Sequence, residues 1–181
     1  MRVFILCTGR CGSMTFINAC RKIENYSSGH ETLCGLIGSR RFEYSDNHIE
    51  ADNRLTWCLG KLHEKFGNNA TYVHLKRAKE DTADSFVKRF EFRASMIRAY
   101  CEGVKMLPLE KMGSDLRLQL CHDYIENVNS NIELFLSDKQ KKITINLENV
   151  KPDFIRFWKL IDAKGDLDEA LKEFEIKYNA S

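Results

Sequence analysis

Two short stretches of this chain carry the residue types that bind anions. The first is Thr8-Gly9-Arg10-Cys11-Gly12-Ser13-Met14-Thr15. It lies between a continuous apolar run, Val3 to Cys7, and a segment with helical periodicity that starts at Ser13. Small residues let a backbone turn tightly after a strand and leave N–H groups exposed where a helix begins. Those groups and the helix dipole attract negative charge. Arg10 adds a permanent charge with a fork of donors, and Ser13 and Thr15 add hydroxyls. The stretch is not the P-loop of nucleotide hydrolases. Gly9 and Gly12 are separated by two residues where that motif needs four, and no Lys precedes the hydroxyl residue.

The second stretch runs from Tyr72 to Phe86. Arg77 follows a run rich in Thr, Tyr and Val, and Ser85 comes eight residues later at the start of a helical pattern. An arginine fork and a hydroxyl at a second helix start make a second anion site. Taken singly, each stretch also reads as an ordinary strand-to-helix turn. Together they suit a ligand with two separated phosphates.

In this order, the two stretches resemble the cofactor motifs of the sulfotransferases that use 3'-phosphoadenosine 5'-phosphosulfate (PAPS). The family's first loop reads roughly Lys/Arg-Ser-Gly-Thr/Ser-Thr; the matching residues here are Arg10-Cys11-Gly12-Ser13-Met14. Its 3'-phosphate site has an Arg at a strand end and a Ser eight residues on, the spacing of Arg77 and Ser85. The resemblance implies that Arg10, Cys11, Gly12, Ser13, Met14 and Thr15 cradle the 5'-phosphosulfate. Arg77 and Ser85 would hold the 3'-phosphate, and 3',5'-adenosine bisphosphate (PAP) would be the product. One or two hydroxyl donors of the family loop are missing, because Cys11 and Met14 stand in their places; backbone N–H groups and Thr15 would compensate. The family's Arg-Asn-Pro-Lys-Asp wording is absent after Arg77. The chain is short for the family, which implies reduced acceptor-binding insertions.

Sulfuryl transfer resembles phosphoryl transfer, in which positioning and charge stabilisation dominate. Arg10 is the candidate cation for charge growing on the bridging oxygen, and the scheme needs no metal. A general base must take the acceptor proton. Glu31 lies 21 residues after Arg10, about where membrane-type and several bacterial sulfotransferases place a catalytic Glu. The adjacent His30 is the second candidate, since cytosolic members use a His, though farther along. The polar stretch Asp46 to Arg54 would line the acceptor pocket. Within it, Arg54 either binds an anionic acceptor or pairs with Asp52 or Glu50. Lys139-Gln-Lys-Lys142 either reaches the cofactor phosphate or is a solvated charge run. His74, inside a strand pattern, reads as a hydrogen-bonded core residue.

The elements that must position these residues follow from periodicity. Strands are expected at Val3–Cys7, Thr71–Leu75 and Lys142–Leu147. Phe16, Cys20 and Ile23 mark a first helix, broken by Asn25-Tyr-Ser-Ser-Gly29; residues 30–52 show no clear pattern. Asp52 or Asn53 would cap a helix lined by Leu55, Leu59, Leu62 and Phe66. Asp81 or Thr82 would cap another, with Phe86, Phe90, Ile97 and Cys101 on its apolar face. A long helix carries Cys121, Ile125, Val128, Ile132 and Phe135. Two terminal helices carry Phe154, Phe157, Trp158 and Ile161, then Leu167, Leu171, Phe174 and Tyr178. Strands separated by helices predict a single three-layer α/β/α domain over residues 1–181, with a mostly parallel sheet of the P-loop NTPase-like sulfotransferase type. Its ligand would lie at the carboxyl ends of the strands.

Composition narrows the remaining classes. The chain has 181 residues, 43% hydrophobic, with 28 Lys and Arg against 26 Asp and Glu. A net charge of +2 does not suit a general nucleic-acid binder. No apolar stretch approaches the ~20 residues that span a bilayer. The odd, irregularly spaced set of seven cysteines suggests free thiols in a reducing, cytoplasmic setting rather than a metal site. A small molecule, a sugar or a peptide would be the acceptor, and the oligomeric state stays open. Two rival readings share the same loops: a nucleotide kinase or hydrolase on the related architecture, and a non-catalytic nucleotide-binding domain. A thiol role for Cys11, at a helix start next to Arg10, is a third.

Overall fold

The computed structural model describes residues 1–176. Its centre is strand β1 (Arg2–Leu6), whose Val3, Phe4, Ile5 and Leu6 are fully buried. An unbroken apolar run is what a strand covered on both faces requires. Phe4 and Leu6 enter one core, while Val3, Ile5 and Cys7 enter the other.

Five strands form the sheet. Besides β1 they are β2 (Ser27–His30), β3 (His48–Ala51), β4 (Ala70–Lys76) and β5 (Lys142–Asn146). All neighbours are parallel, in the order β2-β3-β1-β4-β5. Helices α1 (Ser13–Cys20), α6 (Val150–Leu160) and α7 (Leu167–Lys172) cover one face. There Phe16 meets Phe154 edge to face at 5.3 Å. Helices α2 (Leu59–Phe66), α3 (Lys79–Val87) and α5 (Ser114–Leu136) cover the other. A short α4 (Met96–Ala99), continued by a π-helical turn over Tyr100–Val104, packs beside them. The three-layer α/β expectation therefore holds.

Several local expectations do not. Strands β2 and β3 fall where the sequence showed a turn and an unassigned stretch. Strand β2 is an edge strand in which only Gly29 is buried, so Ser-Ser-Gly-His needs no apolar run. Strand β3 hides a charge: Glu50 is fully buried. Its carboxylate accepts from Thr32 N (2.7 Å) and Thr32 Oγ1 (2.8 Å) and lies 2.9 Å from His48 Nε2. A Cβ on Gly29 would come within 2.8 Å of Glu50 Oε2, so the neighbour of this carboxylate must be small.

The caps move as well. Asp52 accepts from Arg54 N at 2.8 Å, capping a 3-10 turn over Asn53–Trp57, and α2 begins only at Leu59. Helix α3 starts after Ala78, which leaves Asp81 and Thr82 inside the helix rather than at its cap. The helix expected through Cys101 ends at Val87, although Phe86, Phe90, Ile97 and Cys101 still share one core. The predicted helix position Tyr178 lies outside the described residues.

Lys139–Lys142 lies at the amino end of β5, opposite the strand ends where a ligand belongs. Lys139 is buried over the Phe135 ring, with Nζ 3.0 Å from His63 Nδ1. A role on the cofactor phosphate is thereby corrected to a structural one. His74 is the hydrogen-bonded core residue expected, with Nε2 3.0 Å from Asn129 Oδ1.

Candidate functional site

The sheet order places the two stretches that follow β1 and β4 side by side. The chain leaves β1 towards β3 and β2, whereas β4 leads to β5 on the other side. The crevice between the carboxyl ends of β1 and β4 is thus a topological switch point, where open α/β sheets bind ligands. The loop after β1 forms one wall and the β4–α3 connection forms the other.

The β1–α1 loop is held in an unusual backbone form. Gly9, Arg10 and Gly12 all adopt positive φ, at 85°, 58° and 81°. Gly9 and Gly12 also have no room for a side chain, because a Cβ would lie 2.5 Å from Asn53 Nδ2 and 2.8 Å from Leu147 Cδ1, respectively. Tyr124 of α5 donates its hydroxyl to Thr8 O at 2.8 Å and fixes the loop from below. Helix α1 begins after Gly12 with no side-chain cap. Its first N–H groups therefore have no intrahelical acceptor and point into the loop. Ser13, Met14 and Thr15 form that first turn, each partly exposed.

Cys11 lies inward instead. It is buried, in contact with Cys7, whose thiol is pushed up by a hydrogen bond with Cys11 and by burial. Cys11 can shape the loop through its backbone, but its sulfur is withdrawn from solvent. That placement does not favour the thiol reading.

The second stretch meets the first directly. Arg10 Nε donates to Ser85 Oγ at 2.9 Å, and Arg77 Nη1 donates to Arg10 O at 3.3 Å. Burial lowers the pKa of Arg10, and the positive charges of Arg89 and Arg77 lower it further. Positive charge is therefore concentrated in the crevice. One element of the expectation changes. The start of α3 is not an anion site, because Ala78 N donates to Glu148 Oε1 at 2.7 Å and the first turn carries Glu80 and Asp81. What this wall offers an anion is side chains, Arg77 and Ser85, and not the helix terminus.

The two base candidates sit at the end of β2 and face different partners. His30 Nε2 lies 3.0 Å from Ser13 Oγ, at the first residue of α1. Glu31, at φ 55°, directs Oε2 to Arg54 Nη1 at 2.7 Å. Arg54 thus pairs with Glu31, not with Asp52 or Glu50. Asp52 is instead buried against Arg41 while holding Arg54 N. Sequence reasoning missed the contacts that Tyr124, Asn53, Leu147 and Glu148 make with the two loops, because long-range contacts of this kind carry no local signal. Among the described residues, no helix is long and apolar enough to cross a membrane, and no cluster of His, Cys, Asp or Glu is arranged to hold a metal ion.

Comparison with known proteins finds likeness among solved structures. No protein-family model and no curated protein sequence matches this chain. Among solved structures it is similar to the crystal structure of mouse sulfotransferase SULT7A1 complexed with PAP, with a TM-score of 0.63 at 12% identity. The alignment covers 96% of this chain and 63% of that one, so the chain spans less than two thirds of its structural neighbour. The five-stranded parallel sheet and the helices on its two faces are therefore the sulfotransferase fold.

Proposed function

We propose that this protein is a PAPS-dependent sulfotransferase. The observation that carries the reading is the hydrogen bond from Arg10 to Ser85, with Arg77 on the Arg10 carbonyl. It makes one crevice of two stretches that each suit a phosphate group. The PAP in the neighbour's crystal structure fits the same ligand class.

In this scheme the Arg10–Thr15 loop and the free N–H groups of α1 hold the 5'-phosphosulfate, and Arg77 and Ser85 hold the 3'-phosphate. An acceptor oxygen or nitrogen attacks sulfur as the bond from sulfur to the bridging oxygen breaks. PAP leaves with the electron pair of that bond, and Arg10 offsets the charge that grows there. Glu31 takes the acceptor proton, held in place by Arg54. A second reading gives that role to His30, and its specific support is the 3.0 Å approach to Ser13 Oγ in the loop itself. The acceptor is a hydroxyl- or amine-bearing small molecule, sugar or peptide.

Calorimetric titration with PAP in the absence of metal tests the reading. The wild type should bind PAP more tightly than ATP. Arg77→Ala should lose roughly ten- to a hundredfold in affinity, as expected for removal of a charge-assisted contact. A wild type that ignores PAP, or that binds ATP better and only with magnesium, would replace this reading with the kinase or hydrolase alternative. PAP binding with no sulfation of any acceptor class would leave a non-catalytic nucleotide-binding domain.

A further inference from the structure

The turn that carries Glu31 is strained. Its φ of 55° lies in the left-handed region, which a residue with a side chain rarely adopts. Such a conformation persists only where its surroundings over-determine it, and residues held in this way gather at functional sites. Two main-chain anchors flank Glu31, and both come from β3. Glu31 N donates to Ala51 O at 3.0 Å, and Thr32 N donates to Glu50 Oε1 at 2.7 Å.

Glu50 does more than accept one N–H. Its other oxygen, Oε2, accepts from Thr32 Oγ1 at 2.8 Å and lies 2.9 Å from His48 Nε2. The residue is fully buried. Burying a carboxylate is costly unless hydrogen bonds compensate, and these contacts supply them. Gly29 makes the room, since a Cβ there would collide with Thr32 Cγ2 and lie 2.8 Å from Glu50 Oε2. Just past β3, Asp52 Oδ1 accepts from Arg54 N at 2.8 Å, and Arg54 Nη1 donates to Glu31 Oε2 at 2.7 Å. One strand and its extension therefore fix both the backbone on which Glu31 stands and the cation to which its carboxylate points.

We propose that Glu50 is a positioning residue, which sets the direction of the Glu31 carboxylate through Thr32. It reaches no reacting atom itself. The inference rests on the sulfotransferase reading above, in which Glu31 takes the acceptor proton.

The test uses Thr32→Val, which removes the hydroxyl and keeps the backbone N–H, and Thr32→Ser, which keeps both. Side-chain NMR of Arg54 reads the position directly. Its paired guanidinium N–H groups exchange slowly, and their signals are assigned by their loss in Arg54→Lys. Thr32→Val should lose these signals with PAP affinity unchanged, which also shows that the variant is folded. Thr32→Ser should keep them. Glu50→Gln should lose them too, and Thr32→Val carries the test if that variant does not fold.

Turnover is followed as PAP released from PAPS, with 4-nitrophenol, glucosamine and a tyrosine-containing peptide as acceptor probes. Thr32→Val should lower it roughly ten- to a hundredfold, the effect of a misplaced reacting group. In a Glu31→Gln background the same substitution should cost nothing further, because it acts through Glu31. Arg54 signals that survive in Thr32→Val, or an equal loss of turnover in both backgrounds, overturn the proposal and leave the sulfotransferase reading intact. A wild type that binds PAP but releases none from PAPS overturns the base role of Glu31 and the proposal with it. A wild type that does not bind PAP overturns the sulfotransferase reading as well.

Discussion

Ser13 Oγ and His30 Nε2 lie 3.0 Å apart, joining the first residue of α1 to the last residue of β2. Glu31, next in the chain, turns away to Arg54. One peptide bond thus separates a group held against the β1–α1 loop from a group held by a cation.

This arrangement separates the two base candidates by experiment. If Glu31 is the base, Glu31→Gln should lower kcat by about 10²–10⁴-fold with PAP affinity unchanged, and His30→Asn should mainly weaken donor binding through Ser13. The opposite pattern assigns the base to His30. A pH–rate profile gives an independent readout, since imidazoles and carboxylates lose their basic forms about two pH units apart.

Gly12 is expected to be intolerant of substitution. Its φ of 81° is strained for any residue with a side chain, and a Cβ would press on Leu147 at 2.8 Å. Gly12→Ala should cost about 1–3 kcal/mol of stability and weaken PAP binding, because the loop must shift. Thermal unfolding and calorimetry read the two effects separately. An unchanged Tm together with unchanged affinity would show that the loop tolerates another backbone form.

Tyr124 supports the loop from the core. Tyr124→Phe keeps the edge-to-face contacts with Phe86 and Tyr100 but leaves Thr8 O without its donor. Loss of a buried hydrogen bond of this kind should cost about 1–2 kcal/mol. The Tm should fall by a few degrees for a chain of this size, with a smaller fall in PAP affinity.

His74 makes stability depend on pH. Burial holds its imidazole below the ordinary range, opposed in part by the bond to Asn129. As pH falls through about 6.5, the unfolded chain takes up this proton before the folded one. Acid therefore favours unfolding, and the contribution is fully present only above that pH. The urea midpoint should drop between pH 7.5 and 5.5. His74→Gln should flatten the drop, and an unaltered slope in that variant would assign the pH dependence to other groups.

Much of the frame was legible in the order of residues. Val3–Leu6 suited a strand covered on both faces, a short continuous apolar run ended by Thr8-Gly9, and it is fully buried there. The eight-residue step from Arg77 to Ser85 and the glycines around Arg10 marked both walls of the crevice, because backbone geometry and helical periodicity are local properties. Tertiary structure decided the rest. Strands β2 and β3 became strands by pairing with β1, although Ser-Ser-Gly-His and a buried Glu50 carry no strand pattern. Packing of the β5–α6 connection placed Glu148 on the start of α3 and removed it as an anion site. It was also three-dimensional proximity that brought Arg10 to Ser85 across 75 residues and gave Glu31 to Arg54. Long-range contacts between charged side chains leave no periodic trace in a sequence, because the partners are chosen by the sheet order and not by spacing along the chain.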